Sequence, residues 1–153
     1  MKINVHAGHN PDGKIACGAV GYIKESTEAR RVVAKLIQLL EAKGHTVYNC
    51  TVDNGISQND VLKKIVKKDN SVKAGIGISI HFNALNKKDA GNGKTTGVEV
   101  LYKPGNNTGK SYATTICRNI SALGYTNRGA KATTGLYYLN NCKNNPTCNK
   151  RII

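Results

Sequence analysis

Three residues of this chain have the types and the settings to do chemistry together: His9, Glu25 and His81. His9 stands in Ala7-Gly8-His9-Asn10-Pro11-Asp12-Gly13, a run of turn formers directly after the weakly alternating Lys2-Ile3-Asn4-Val5-His6. His81 ends Gly75-Ile76-Gly77-Ile78-Ser79-Ile80, a short isoleucine-rich run with the pattern of a strand buried on both faces. Glu25 opens a stretch in which Ala29, Val32, Val33, Leu36, Ile37 and Leu40 follow one face of a helix. Taken singly, each residue has a plainer reading: a histidine satisfied at a strand end, or an acid complementing a helix dipole. Together, two imidazoles and a carboxylate make a three-ligand zinc site with a fourth position left for water. A metal so held lowers the pKa of its water to about 7 and polarises a carbonyl, which is the chemistry of amide hydrolysis.

That convergence places demands on the fold. The first and third strands must be neighbours in a parallel sheet, so that His9 and His81 emerge side by side where open α/β sheets place their ligands. The first helix must begin at the same edge to present Glu25. The remaining pattern agrees. Strands are expected over 2–6, 46–51, 75–84, 97–102 and 135–139, alternating with helices from 25, from 57 and over about 108–123. Ser57-Gln58-Asn59-Asp60 reads as a capping box with aspartate in place of glutamate. In the third helix Tyr112, Ile116, Ile120 and Leu123 are expected to face inward, and 85–96 reads as a polar surface loop near the site. The fold class is therefore α/β: three layers, a mostly parallel twisted sheet with helices on both faces.

Composition bounds the function. At 153 residues the chain is expected to be one domain. A formal net charge of +14 predicts attraction to polyanions, whether nucleic acid, anionic lipid or an anionic wall polymer. Nucleic acid is disfavoured because the stacking aromatics and recognition motifs of such binders are missing. No apolar run approaches membrane-spanning length. The amino terminus lacks the apolar core of a cleavable signal peptide, so synthesis in the cytoplasm is expected. Cys17, Cys50, Cys117, Cys142 and Cys148 contain no Cys-x-x-Cys pair, and free thiols are expected.

The residues also carry a family resemblance. Ala7-Gly8-His9-Asn10, then Gly18-Ala19-Val20-Gly21 with Lys24-Glu25, then Ser79-Ile80-His81-Phe82-Asn83-Ala84 are similar to the ordered motifs of the zinc-dependent N-acetylmuramoyl-L-alanine amidases of type 3. Asn127-Arg128-Gly129-Ala130-Lys131 and Gly135-Leu136-Tyr137-Tyr138-Leu139 resemble its later motifs in the same order, with the phage endolysins and autolysins of clostridia the nearest kind. The resemblance implies zinc bound by His9, Glu25 and His81, and cleavage of the amide between N-acetylmuramic acid and L-alanine of peptidoglycan. It implies substrate contacts from Asn83 and Arg128, action on the bacterial wall after release from the cell, and a monomer. His6 stands where the family often has an aspartate or another small polar residue; a strand residue is not expected to share the metal with His9.

The resemblance weakens at the end of the chain. The family continues past a proline into an apolar strand ending in a glutamate, the proposed general base, and then a closing helix. Here Pro146-Thr147 is followed by Cys148-Asn149-Lys150-Arg151-Ile152-Ile153, and no acid occurs after Glu99. The glutamate would fall near Arg151, which cannot accept a proton at neutral pH. An amidase-like region over 1–147 with an unrelated tail over 148–153 is the resulting expectation. The last strand and closing helix are expected to be absent, apolar surface of the sheet and first helix to be exposed, and hydrolysis to be impaired. The rival reading is a basic module that binds peptidoglycan or teichoic acid without cutting it.

Overall fold

A computed structural model describes residues 1–21, 23–83 and 97–152, with side chains described as far as Lys150. Six strands form one sheet in the order β2-β1-β3-β6-β4-β5, comprising β1 (Lys2–Ala7), β2 (Thr46–Asn49), β3 (Ile76–Asn83), β4 (Gly97–Tyr102), β5 (Asn127–Ala132) and β6 (Pro146–Ile152). The helices are α1 (Glu25–Ala42), α2 (Gln58–Asn70), α3 (Asn107–Ser121) and the short α4 (Tyr137–Asn141). All ladders are parallel except β4 with β6. The neighbours that the site requires are neighbours in fact: Ile3 pairs with Ile76 and Ala7 with Ile80.

Alternation along the strands divides the sheet into two covered faces. Ile3, Val5 and Ala7 of β1 join Ile76, Ile80 and Phe82 of β3 beneath Ala29 and Val33 of α1. On the same face Val98 and Val100 of β4 pack against Ala113 and Cys117 of α3. The opposite face carries Cys148 of β6, with Leu101, under Val61, Ile65 and Val66 of α2 and Tyr138, Leu139 and Cys142 of α4. The three-layer α/β expectation is met.

Four local expectations are corrected. The strand thought to be absent is present: β6 occupies the centre of the sheet, with both of its edges paired. Its polar composition disguised it. Both ladders satisfy the backbone, and the inward polar side chains find partial partners, Asn149 Oδ1 being left without one among the described residues. Thr147 Oγ1 donates to Gly77 O at 3.3 Å and Asn149 Nδ2 to Ser79 O at 3.3 Å. The stretch 135–139 is not a strand but the turn into α4, because Tyr138 and Leu139 reach the core only when rolled into one helical turn. The stretch 127–131, read only as a motif, is an edge strand. Leu123 lies past the end of α3 and is 76% exposed rather than inward.

Other expectations hold. Asp60 N donates to Ser57 Oγ at 3.1 Å, and Ile56 N donates to Asp60 Oδ2 at 2.9 Å, so the aspartate closes the capping box one residue upstream. All five cysteines are free thiols. On α1 the expected inward face is only partly so: Ala29 and Val33 are buried, whereas Val32 is 40% exposed and, with Leu39 at 49%, leaves apolar surface open to solvent. No helix among the described residues is long and apolar enough to cross a membrane. The loop expected over 85–96 lies outside the described residues.

Candidate metal centre

His9 directly follows the last turn of backbone that β1 shares with β3, where Gly8 N donates to Ile80 O at 3.0 Å. Its φ of 66° is the left-handed conformation that an ordinary residue rarely adopts, and it turns the imidazole back over the sheet edge. His81 rises from β3 on the same face as Ser79 and, across the ladder, His6. Glu25 is the first residue of α1, tied down by its own N–H donating to Ala19 O at 3.0 Å.

The three side chains meet at one carboxylate oxygen. Glu25 Oε1 lies 2.9 Å from His81 Nδ1 and 3.4 Å from His9 Nε2, and the two imidazoles stand edge to face with centroids 5.0 Å apart. One ligand atom from each residue falls within 4.8 Å of the others. The carboxylate is fixed from behind, with Ala19 N donating to Oε2 at 2.8 Å and Phe82 N to Oε1 at 3.2 Å. Its side chain is 8% exposed, while those of His9 and His81 are 18% and 19% exposed. The cluster is therefore held by protein on one side and open to a cleft on the other.

Glycines make room for it. A Cβ on Gly8 would come within 2.1 Å of the His81 ring, and one on Gly18 within 2.6 Å of Glu25 Oε2 and 2.7 Å of His9 Cδ2. Gly18 also has a φ of +82°, so both its space and its backbone require glycine.

The electrostatics suit a cation. Burial pushes the Glu25 carboxyl up, but hydrogen bonding from His81, His9 and the Ala19 N–H outweighs it and holds the group well below the usual carboxylate range. Burial lowers the His81 pKa against the opposing pull of Glu25, favouring the neutral imidazole that can act as a ligand. His9 Nδ1 lies 3.3 Å from Gln58 Oε1, an acceptor, so that a proton held on Nδ1 would leave Nε2, the nitrogen that faces Glu25, as the one to meet a metal. Two imidazoles and an ionised carboxylate gathered at one point are a donor set that fits a zinc ion.

The surrounding cleft, about 510 Å³, is lined by His9, Glu25 and His81 together with Gln58, Asn83, Tyr137, Cys148 and Lys150. Asn83, an expected substrate contact, stands exposed at the end of β3 on its rim. Arg128 is not brought to this cleft. It lies on the edge strand β5 with Nε 3.4 Å from Glu99 Oε2, where Lys131 Nζ also binds at 2.7 Å. The backbone of Arg151 pairs with Phe82 and Val98, while its side chain lies outside the described residues. His6 does not join the cluster through a hydrogen bond. It is buried edge-on against Tyr138, with Nδ1 3.2 Å from Ala7 O and Nε2 without a partner. Sequence reading missed Gln58 and Lys150. Gln58 was legible only as a capping-box position, and Lys150 only as part of an apparently foreign tail.

Beneath the cleft a buried polar network holds α4 to α2 and the sheet. Asp69 Oδ2 accepts from Tyr138 OH at 2.8 Å, and Oδ1 accepts from Cys142 Sγ and Asn144 Nδ2, both at 2.8 Å. The network fixes Tyr138 against His6 and so shapes the floor of the cleft.

Comparison with known proteins places this arrangement. Residues 3–148 match the profile of the N-acetylmuramoyl-L-alanine amidase family. An uncharacterized protein of Clostridium perfringens strain 13 is 33% identical over 141 residues, covering 91% of this chain and 40% of that protein. An uncharacterized 38.4 kDa protein of Clostridium perfringens is 37% identical over 142 residues, 92% of this chain and 39% of that one. The chain thus spans about two fifths of the length of these curated relatives. Among solved structures, the catalytic domain of the CD27L endolysin targeting Clostridia difficile superposes with a TM-score of 0.82 at 29% identity, over 99% of this chain and 79% of that one. The CwlD amidase of Clostridioides difficile shares the fold, with a TM-score of 0.84 at 21% identity, over 99% of this chain and 82% of that one.

Proposed function

This chain belongs to the N-acetylmuramoyl-L-alanine amidase family, and from that membership we propose that it hydrolyses the amide between N-acetylmuramic acid and L-alanine of bacterial peptidoglycan, with zinc held by His9, Glu25 and His81. One observation carries the reading: the two imidazoles and the carboxylate converge within 4.8 Å at the mouth of an open cleft. Zinc held there supplies Lewis acidity for the scissile carbonyl and activation of water at neutral pH.

The protein's own groups have separable tasks. Glu25 contributes a permanent negative charge, since its hydrogen bonds keep it ionised. Gln58 holds the His9 tautomer, and Gly8 and Gly18 allow the rings to close on the carboxylate. Asn83, on the rim, can both donate to and accept from a peptide passing the end of β3. Arg128 would meet the substrate only farther along the sheet, beside Glu99. The domain works as a monomer on the wall of a bacterium.

Hydrolysis is slow in this reading. Among the described residues lining the cleft, Glu25 is the sole carboxylate, and it is a ligand. A positioned general base typically contributes about 10²–10⁴-fold, and among the described residues none stands beside the cluster. That shortage, with a lysine in the cleft, favours as second reading a domain that holds peptidoglycan or anionic wall polymer without turnover. The test is incubation of purified walls with zinc-loaded protein and with Glu25→Ala, scored by new alanine amino termini. Slow release that Glu25→Ala abolishes supports the amidase; wall binding with no release from either supports the binding module.

A further inference from the structure

Because β6 lies between β3 and β4, the residues His81, Lys150 and Glu99 pair in register and form one row across the sheet. Paired residues project from the same face, so Lys150 rises beside His81 and lines the same cleft. Adjacent strands are roughly 4.8 Å apart, which sets Lys150 within the span of one or two peptide residues of the metal centre.

Among the described residues, the two carboxylates near Lys150, Glu99 and Glu25, are already engaged. Glu99 Oε2 is held by Lys131 at 2.7 Å and Arg128 at 3.4 Å. Glu25 is held by His81, His9 and two backbone N–H groups. Among the described residues Lys150 makes no ion pair. Half-buried in the lining of the cleft, Lys150 is placed to meet an anion that enters beside the cluster.

The geometry points to Lys150 as the residue that seats a substrate carboxylate next to the metal centre, making it a specificity determinant for anionic stem peptides. This rests on the reading of the cleft as a peptidoglycan site. In the peptidoglycan stem the residue after L-alanine is a glutamic acid, whose α-carboxyl is free in some walls and amidated in others. That group lies on the residue after L-alanine, about 6 Å of extended chain from the amide to be cut, within reach of the flexible lysine stem.

The test is calorimetric titration of the full chain with two N-acetylmuramoyl tripeptides that differ only in whether the glutamate α-carboxyl is free or amidated. The wild type should bind the free acid on the order of 10-fold more tightly, the worth of one charge-assisted hydrogen bond. Lys150→Gln should bind both alike, and Lys150→Arg should keep most of the preference. Equal binding of the two ligands by the wild type, or an undiminished preference in Lys150→Gln, overturns the assignment of Lys150 alone. Failure of the wild type to bind either ligand overturns the peptidoglycan reading with it.

Discussion

Removing Gln58 tests how the protein prepares a ligand. Gln58 is the first residue of α2, and the cap from Ser57 Oγ to Asp60 N at 3.1 Å fixes the start of that helix. Its Oε1, 3.3 Å from His9 Nδ1, orients the ring so that Nε2 faces Glu25. A neutral hydrogen bond contributes about 1 kcal/mol net, or about fivefold in an equilibrium constant. Loss of a group that orients a metal-binding histidine typically costs 10–100-fold in metal affinity. The 3.3 Å separation is long, and the His9 side chain is 18% exposed, so water can partly replace the amide. Both facts put Gln58→Ala at the low end, about 10-fold weaker for zinc. Gln58→Glu replaces the amide by a stronger acceptor and should bind zinc at least as tightly as the wild type. Competition against a chromophoric chelator at pH 7.5, with thermal melts of the metal-free proteins as a check on folding, reads both. Unchanged affinity in Gln58→Ala, or Gln58→Glu weaker than Gln58→Ala, would refute the claim that this contact sets the His9 tautomer.

Three further outcomes follow from the same contacts. Asp69→Ala strands the donors of Tyr138, Cys142 and Asn144 in the interior and should cost about 3–5 kcal/mol in urea unfolding; a loss below about 1 kcal/mol would contradict the network. Burial and the charge of His81 push the His6 pKa from 6.5 to about 4, so the unfolded chain takes up the proton first. The stability contributed by neutral His6, roughly 3 kcal/mol, is complete above pH 6.5 and is lost as the pH falls toward 4. His6→Asn should flatten the stability profile over that window, and an unaltered slope would show that His6 does not carry it. Gly18→Ala should abolish zinc binding because its Cβ meets Glu25 and His9, whereas Gly13→Ala, at a φ of +79° in open space, should lose only about 1 kcal/mol of stability and keep the metal; equal zinc affinity in both would refute the packing argument.

The clustering of His9, Glu25 and His81 was legible in the sequence because each of the three sits at a boundary that local pattern marks well. The turn formers after β1, the abrupt polar end of β3 and the first acid of an amphipathic helix are all visible without coordinates. Parallel pairing of β1 with β3 then does the rest. The tail was illegible for the opposite reason. Asn149 and Lys150 carry none of the apolar signal of a central strand, yet a slot with two open ladders accepts any backbone that can donate and accept. Tyr137-Tyr138-Leu139 misled because aromatic and apolar residues in short runs do not distinguish a strand from one turn of helix. Gln58 and Lys150 matter through what lies across from them, His9 in one case and His81 in the other, and neither relation has a signature in local sequence.

The most direct test of the central claim is the chemistry of the wall after digestion. Zinc-loaded protein at high concentration is incubated with purified peptidoglycan, and new alanine amino termini are counted against new reducing sugar ends, with His81→Ala in parallel. The account predicts slow appearance of alanine amino termini alone, none with His81→Ala, and one zinc per wild-type chain. Release of reducing ends, or alanine termini appearing equally with His81→Ala, would contradict it.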